Sequence, residues 1–278
     1  MQTKNGGEGA AVELRDIEVS FGEGALRFVA VSNVDLAVRA GEFVAIVGPT
    51  GCGKSTLLNV IGGLLKPSAG VAVVEGSPVA GISKSCGYLF QADALMPWKT
   101  ALANVAVALE IAGETKARAE ARAREFLARV GLSRFADRYP HQLSGGQKKR
   151  VALAQMLIRN PRILLMDEPF GPLDAQTRVL MGDLLLSLWQ QDRKAVLFVT
   201  HDLDEAIALS DRVVVMSAGP QSRIIAEHRI DLPRPRQTAE IRLDTSFHAL
   251  QKAIWNDLRA EVMRAYGDEF AAIAGAGA

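Results

Sequence analysis

Phe43-Val44-Ala45-Ile46-Val47-Gly48-Pro49-Thr50-Gly51-Cys52-Gly53-Lys54-Ser55-Thr56 decides how this chain is read. Its first five residues are an unbroken apolar run, as in a strand buried on both faces of a parallel sheet. Gly48 to Ser55 then fits the pattern G-x-x-x-x-G-K-[ST]. A helical pattern follows from Lys54 to Leu65 and stops near Pro67. The glycines let the backbone curl so that its N–H groups face one centre. That centre sits at a helix N-terminus, where partial positive charge favours phosphate. Lys54 supplies a full charge for β- and γ-phosphates, Ser55 offers a hydroxyl to Mg²⁺, and Thr56 serves the α-phosphate side. ATP and Mg²⁺ are therefore the expected ligands of this loop. Cys52 reads as a space-filler there, and its position predicts that alkylation blocks ATP.

The same alternation extends along the chain. Short β-rich runs occupy 11–14, 17–21, 28–36 and 43–47, with further runs at 71–75 and 88–90. From Thr100 to Leu157 the chain becomes rich in Ala, Arg and Glu at helical spacing, most plainly over 115–130, and reads as a helical insert. Strand patterns return at 163–166, 195–200 and 212–217, with helices at 175–191 and 203–209 between them. Strands alternating with helices imply an α/β fold with a parallel sheet. A Pro/Arg segment at 232–236 precedes a helix expected over 246–266.

Ile163 to Met166 is a buried strand pattern that runs into Asp167 and Glu168. Carboxylates at the C-terminal end of a parallel strand point into the crevice where ligands bind. Asp167 is expected to hold Mg²⁺ through water. Glu168 is placed to orient and deprotonate the attacking water. His201 and Gln91 also follow strands and should share that rim. The Gln91 carbonyl can serve the metal or its water. A pair of acids at a strand end is a weak signal alone and becomes strong beside the phosphate loop.

Leu143-Ser144-Gly145-Gly146-Gln147 stands before a helical pattern at 148–159 and offers a second anion site, or simply a helix N-cap. At this point the chain resembles the nucleotide-binding subunits of ABC transporters over most of residues 11–218. The phosphate loop, Gln91, LSGGQ at 143–147, Asp167-Glu168, Leu173-Asp174 and His201 stand in the family's order. The resemblance implies a P-loop NTPase with a RecA-like parallel core, an N-terminal antiparallel β-subdomain and an inserted α-helical subdomain. It implies a head-to-tail dimer in which each ATP lies between one P-loop and the other copy's Ser144, Gly145, Gly146 and Gln147. Asp174 would link the two sites, His201 would contact the γ-phosphate, and an aromatic would stack on adenine. Phe21 matches that aromatic position, with Phe28 in reserve.

Leu95-Met96-Pro97-Trp98-Lys99-Thr100 and Asn104-Val105 are similar to the ATPases of nitrate, sulfonate and taurine importers. So is the tail, with Arg234-Pro235-Arg236, Phe247, Leu250, Trp255 and Leu258. Met96-Pro97-Trp98 would line the groove for a short helix of a membrane subunit; otherwise Trp98 is an ordinary core aromatic. Lys148-Lys149-Arg150 departs from the subgroup and reads as a solvated helix face. The expected organisation is a flexible tail at 1–10, an ATPase domain at 11–220 with a helical subdomain at about 95–158, and a C-terminal extension at 221–278. About 60 residues follow Ser217, too few for a separate regulatory barrel.

Composition bounds the rest. Lys plus Arg (32) nearly balances Asp plus Glu (31), so nothing marks a nucleic-acid partner. The longest uncharged runs, 43–53 and 55–65, are far shorter than the roughly 20 residues a membrane span needs. The start lacks the apolar core of a signal peptide. A cytoplasmic protein bound peripherally to the inner face of the cell membrane is expected. Its partners would be a second copy, two integral-membrane permease subunits and, indirectly, a solute-binding protein. Rival readings are a non-transport ABC ATPase, an importer ATPase for another small solute, and a nucleotide-binding module without turnover. Glu168 argues against the last.

Overall fold

The computed structural model describes residues 9–92 and 94–275. Of the tail expected over 1–10, only the last two residues fall within that range. The chain divides into two compact units, Met1–Ser83 with Arg193–Ala278, and Lys84–Asp192.

The first unit opens with long antiparallel strands β1 (Ala10–Phe21) and β2 (Phe28–Arg39). The runs expected at 11–14 and 17–21 form one strand, broken in register between Leu14 and Ile17, where Asp16 has a φ of 49°. Strand β3 (Phe43–Val47) leads into helix α1 (Lys54–Gly62). The helix ends three residues earlier than expected, because Gly63 turns left-handed at a φ of 72°. Strands β4 (Ala69–Val74) and β5 (Ser77–Pro78) complete a four-stranded sheet in the order β2-β1-β4-β5. Alternation of buried and exposed residues along β2 shows that one face of this sheet meets water.

The second unit begins with β6 (Cys86–Leu89), followed by helices α2 (Ala101–Glu110), α3 (Lys116–Arg129) and α4 (Gly145–Leu157). Strand β7 (Ile163–Asp167) pairs in parallel with β6, and α5 (Ala175–Asp192) closes the unit. Helix α4 starts three residues before the expected position. Gly145, Gly146 and Gln147 form its first turn, with Ser144 as N-cap.

Back in the first unit, β8 (Ala195–Val199), α6 (Leu203–Leu209) and β9 (Arg212–Met216) follow. Strands β8 and β9 flank β3 in parallel, and all three are buried almost throughout, as their continuous apolar runs require. Strand β10 (Ile224–Arg229) adds antiparallel to β9; no sequence pattern announced it. Helix α7 (Thr245–Gly275) is longer than expected. Its Phe247, Ile254 and Leu258 enter one core with Ala45, Val47, Ile207, Val213 and Val215. The C-terminal segment therefore covers the sheet that carries the phosphate loop. Among the described residues, no helix is long and apolar enough to cross a membrane.

Candidate active site

The P-loop leaves β3 at Gly48 and enters α1 through Gly53, which caps the helix at a φ of 92°. A Cβ at Gly53 would lie 2.4 Å from Val31 Cγ1, so both space and conformation demand glycine. Lys54 is buried, and its ammonium donates to the carbonyls of Gly48 (3.0 Å) and Pro49 (2.9 Å). The lysine thus curls back over its own loop, satisfied by the backbone. Cys52 is buried beneath Gly48, and burial raises its thiol pKa despite the opposing charge of Lys54. Ser55 is exposed and Thr56 half-buried at the start of α1.

His201 reaches the same rim as the P-loop. Ile46 and Val199 are register partners in adjacent parallel strands, so Gly48 and His201 leave the sheet side by side in direction. The His201 side chain is exposed. Its neighbours hold the turn: Thr200 donates to Glu205 at 2.7 Å, and Asp202 accepts from the amides of Asp204 and Glu205. Phe21 and Phe28 face each other across β1 and β2, each about half-exposed, and either offers an aromatic surface to solvent.

In the second unit the pairing Leu89↔Met166 brings the ends of β6 and β7 together. Gln91 and Glu168 follow those ends, and Gln91 Nε2 donates to Glu168 Oε2 at 3.2 Å. Glu168 has a φ of 43°, a left-handed backbone uncommon for a glutamate, directly after the buried Asp167. Burial and the charge of Asp167 together raise the pKa of Tyr88.

Ser144 accepts from Gln147 N at 3.3 Å while Gln147 Oε1 accepts from Ser144 N at 2.9 Å, forming a capping box. The N-cap alternative is therefore realised, which leaves the exposed Ser144 at the positive end of α4. A Cβ at Gly146 would meet Thr177 at 2.6 Å, so the turn of Ser144 to Gln147 packs against the start of α5. There Asp174 accepts from Thr177 Oγ1 (2.6 Å) and Thr177 N (2.9 Å), and these bonds hold its carboxyl below the usual range.

Residues 31–171 match the family model described as ABC transporter. The chain belongs to the ABC transporter family. It is 46% identical to an uncharacterized ABC transporter ATP-binding protein of Methanocaldococcus jannaschii, over 86% of this chain and 87% of that one. It is 42% identical to a taurine import ATP-binding protein of Pseudomonas aeruginosa, over 87% of this chain and 93% of that one. Against a nitrate import ATP-binding protein of Synechococcus elongatus it is 41% identical over 84% of this chain but only 36% of that longer protein. Among solved structures it superimposes with a TM-score of 0.71 and 34% identity on an ATP-binding cassette, a post-hydrolysis dimer bound to ADP and Pi, covering 80% of this chain and 100% of that one. The fold is that of the α/β P-loop NTPases.

Two features of this ABC protein escaped the sequence reading. Lys149 does not belong to a solvated face: it is 2% exposed and donates to Gln91 O at 2.7 Å. Its spacing to Ala152, Leu153 and Met156, all buried on one side of α4, was the available signal. Trp98 is 73% exposed, which removes the core-aromatic alternative. The second missed feature is the buried Asn104, whose side-chain amide accepts from Met96 N and donates to the carbonyls of Met96, Lys99 and Thr100.

Proposed function

We propose that this chain is the ATP-hydrolysing subunit of an ABC importer, working as a head-to-tail dimer to drive uptake of a small anion such as nitrate, taurine or an aliphatic sulfonate. The observation that carries the reading is the cradle at Gly48–Ser55, with its left-handed Gly53 and Lys54 held over the loop. Likeness to nitrate and taurine import ATP-binding proteins supports the importer role and the solute class. Likeness to a dimeric cassette supports the pairing of two copies.

On this reading Gly48 to Thr56 bind the triphosphate, and Phe21 stacks on adenine. Lys54 exchanges its two carbonyl partners for phosphate oxygens, a change favoured by full charge. Mg²⁺ commonly takes one or two carboxylates, water and substrate phosphates. Ser55, Asp167 and the side-chain carbonyl of Gln91 are the groups that would hold it, and the ion when bound would neutralise charge developing on the phosphates. Glu168 accepts a proton from the attacking water, and His201 contacts the γ-phosphate. Ser144 to Gln147 of the second copy complete the site, and Asp174 relates one site to the other. Phosphoryl transfer needs positioning and charge stabilisation more than covalent help, which suits such an assembly. Two integral-membrane permease subunits and a solute-binding protein are the further partners, with this subunit on the inner face of the membrane.

Size-exclusion chromatography with ATP tests the shared site. Glu168→Gln is expected to elute as an ATP-bound dimer, and Lys54→Ala to stay monomeric with tight ATP binding lost. If both stay monomeric, the shared-site reading of the isolated subunit fails.

A further inference from the structure

We propose that Lys149 is a positioning residue for hydrolysis, a strut that fixes the backbone of Gln91 and through it the Gln91–Glu168 hydrogen bond. The inference rests on the reading of Glu168 as the group that receives the water's proton.

Burial makes the case. An ammonium taken out of water is strongly destabilising unless hydrogen bonds replace its hydration. Lys149 is 2% exposed, and its Nζ donates to Gln91 O at 2.7 Å, with Phe90 O at the outer limit of 3.5 Å. A charge-assisted bond of that length is among the stronger ones. It grips the chain where the chain leaves β6 and becomes exposed. Gln91 would otherwise be a side chain on a solvent-washed loop. Instead its carbonyl is pinned from α4, and its amide reaches Glu168 Oε2 at 3.2 Å.

The strut joins two sites of chemistry within one unit. Lys149 lies on the helix that Ser144 caps, five residues further on. A phosphate group engaging the N-terminus of α4 pulls on the same rigid element that carries Lys149. A displacement of α4 therefore moves the Gln91 backbone, and with it the amide that orients Glu168. Glu168 itself sits in an uncommon left-handed backbone conformation, and the Gln91 amide holds one of its carboxylate oxygens. Anion occupancy at the N-terminus of α4 and the orientation of the Glu168 carboxylate are thereby linked through Lys149.

The test uses the purified full-length protein with Mg·ATP. Lys149→Met keeps the stem and removes the donor. The expected result is a fall in kcat of between about tenfold and about a hundredfold, as misplacement of a reacting group produces, with KM for ATP within about twofold. Lys149→Arg should recover part of kcat, and Lys149→Met added to Gln91→Ala should cost nothing beyond Gln91→Ala alone. Hydrogen–deuterium exchange of the segment around residues 88–92 should rise in Lys149→Met, more than in α3 of the same variant. Should Lys149→Met fail to fold, Lys149→Leu serves, again without a donor and with the same expected split. A kcat within twofold of wild type in either folded variant overturns the proposal, as does unchanged exchange at 88–92. Full hydrolysis by Glu168→Gln would instead remove the reading of Glu168, while the exchange measurement still decides whether Lys149 holds the loop.

Discussion

At the scale of single residues, the candidate ligand-binding groups are ones that the backbone has already satisfied. Lys54 rests on two carbonyls of its own loop, and Ser144 on its own helix. Ligand binding is then an exchange of partners, which keeps buried polar groups from being orphaned in the nucleotide-free protein. Cys52 shows how burial alters reactivity at the same spot. The neutral thiol is favoured because burial penalises the thiolate, with Lys54 only partly offsetting it. A raised pKa means less thiolate at neutral pH, so alkylation of Cys52 should be slow there and keep accelerating at alkaline pH beyond where an exposed thiol levels off. Cys86, only partly buried, should label first. Mass spectrometry of labelling against pH checks this, and ATP should protect Cys52 alone. Equal labelling of both thiols at neutral pH would contradict the burial argument.

At the scale of elements, a turn held from beneath displays an aromatic outward. Asn104, fully buried in α2, uses all its hydrogen-bonding groups on the turn of residues 96–100. Replacing it by alanine leaves the part-buried Met96 N–H and three carbonyls without that partner, a loss of about 1–3 kcal/mol. The Met96 amide, which donates to Asn104 Oδ1 at 2.7 Å, should exchange faster in Asn104→Ala than in wild type. Trp98→Ala, in contrast, removes a side chain that is 73% exposed and should barely change the melting temperature. It is expected to weaken co-purification with the permease while ATP binding by the isolated subunit persists. Equal loss of both would sink the docking role.

At the scale of the whole molecule, the C-terminal segment is a structural member of the nucleotide-binding unit. Phe247, Ile254 and Leu258 are each buried against the central strands, worth about 1.5–3 kcal/mol apiece. Arg236, also buried, donates to carbonyls of Ile207, Ala208 and Ser210 at the end of α6 and to those of Ile230 and Leu232. Glu261 of α7 accepts from Ala218 N at 2.8 Å, one residue before Gly219, where an added Cβ would stand 3.6 Å from Gly51 O. Helix α7 thus braces the segment lying behind the phosphate loop. A chain ending at Asp244 forfeits a sum comparable with the roughly 5–15 kcal/mol net stability of a domain. It should be largely insoluble, or melt far below the full chain; a soluble truncation of unchanged melting temperature would show that this face does not need α7.

What the sequence by itself determined is whatever depends on local pattern. The run Phe43–Val47 declared a buried strand, the glycines at 51 and 53 a curled phosphate loop, and Ile163 to Glu168 a strand ending in acids. Each is legible because its chemistry demands fixed residue types at fixed spacing along one segment. Tertiary structure alone decided the rest. Lys149 looked solvated because a lysine in a basic triplet usually is; only its packing beneath Gln91 made it interior. Strand β10 has an alternating half-buried pattern too short to announce itself, and it exists because β9 offered an open edge. Trp98 carries no sequence mark that distinguishes core from display, since burial is a property of what surrounds a side chain and not of the side chain itself.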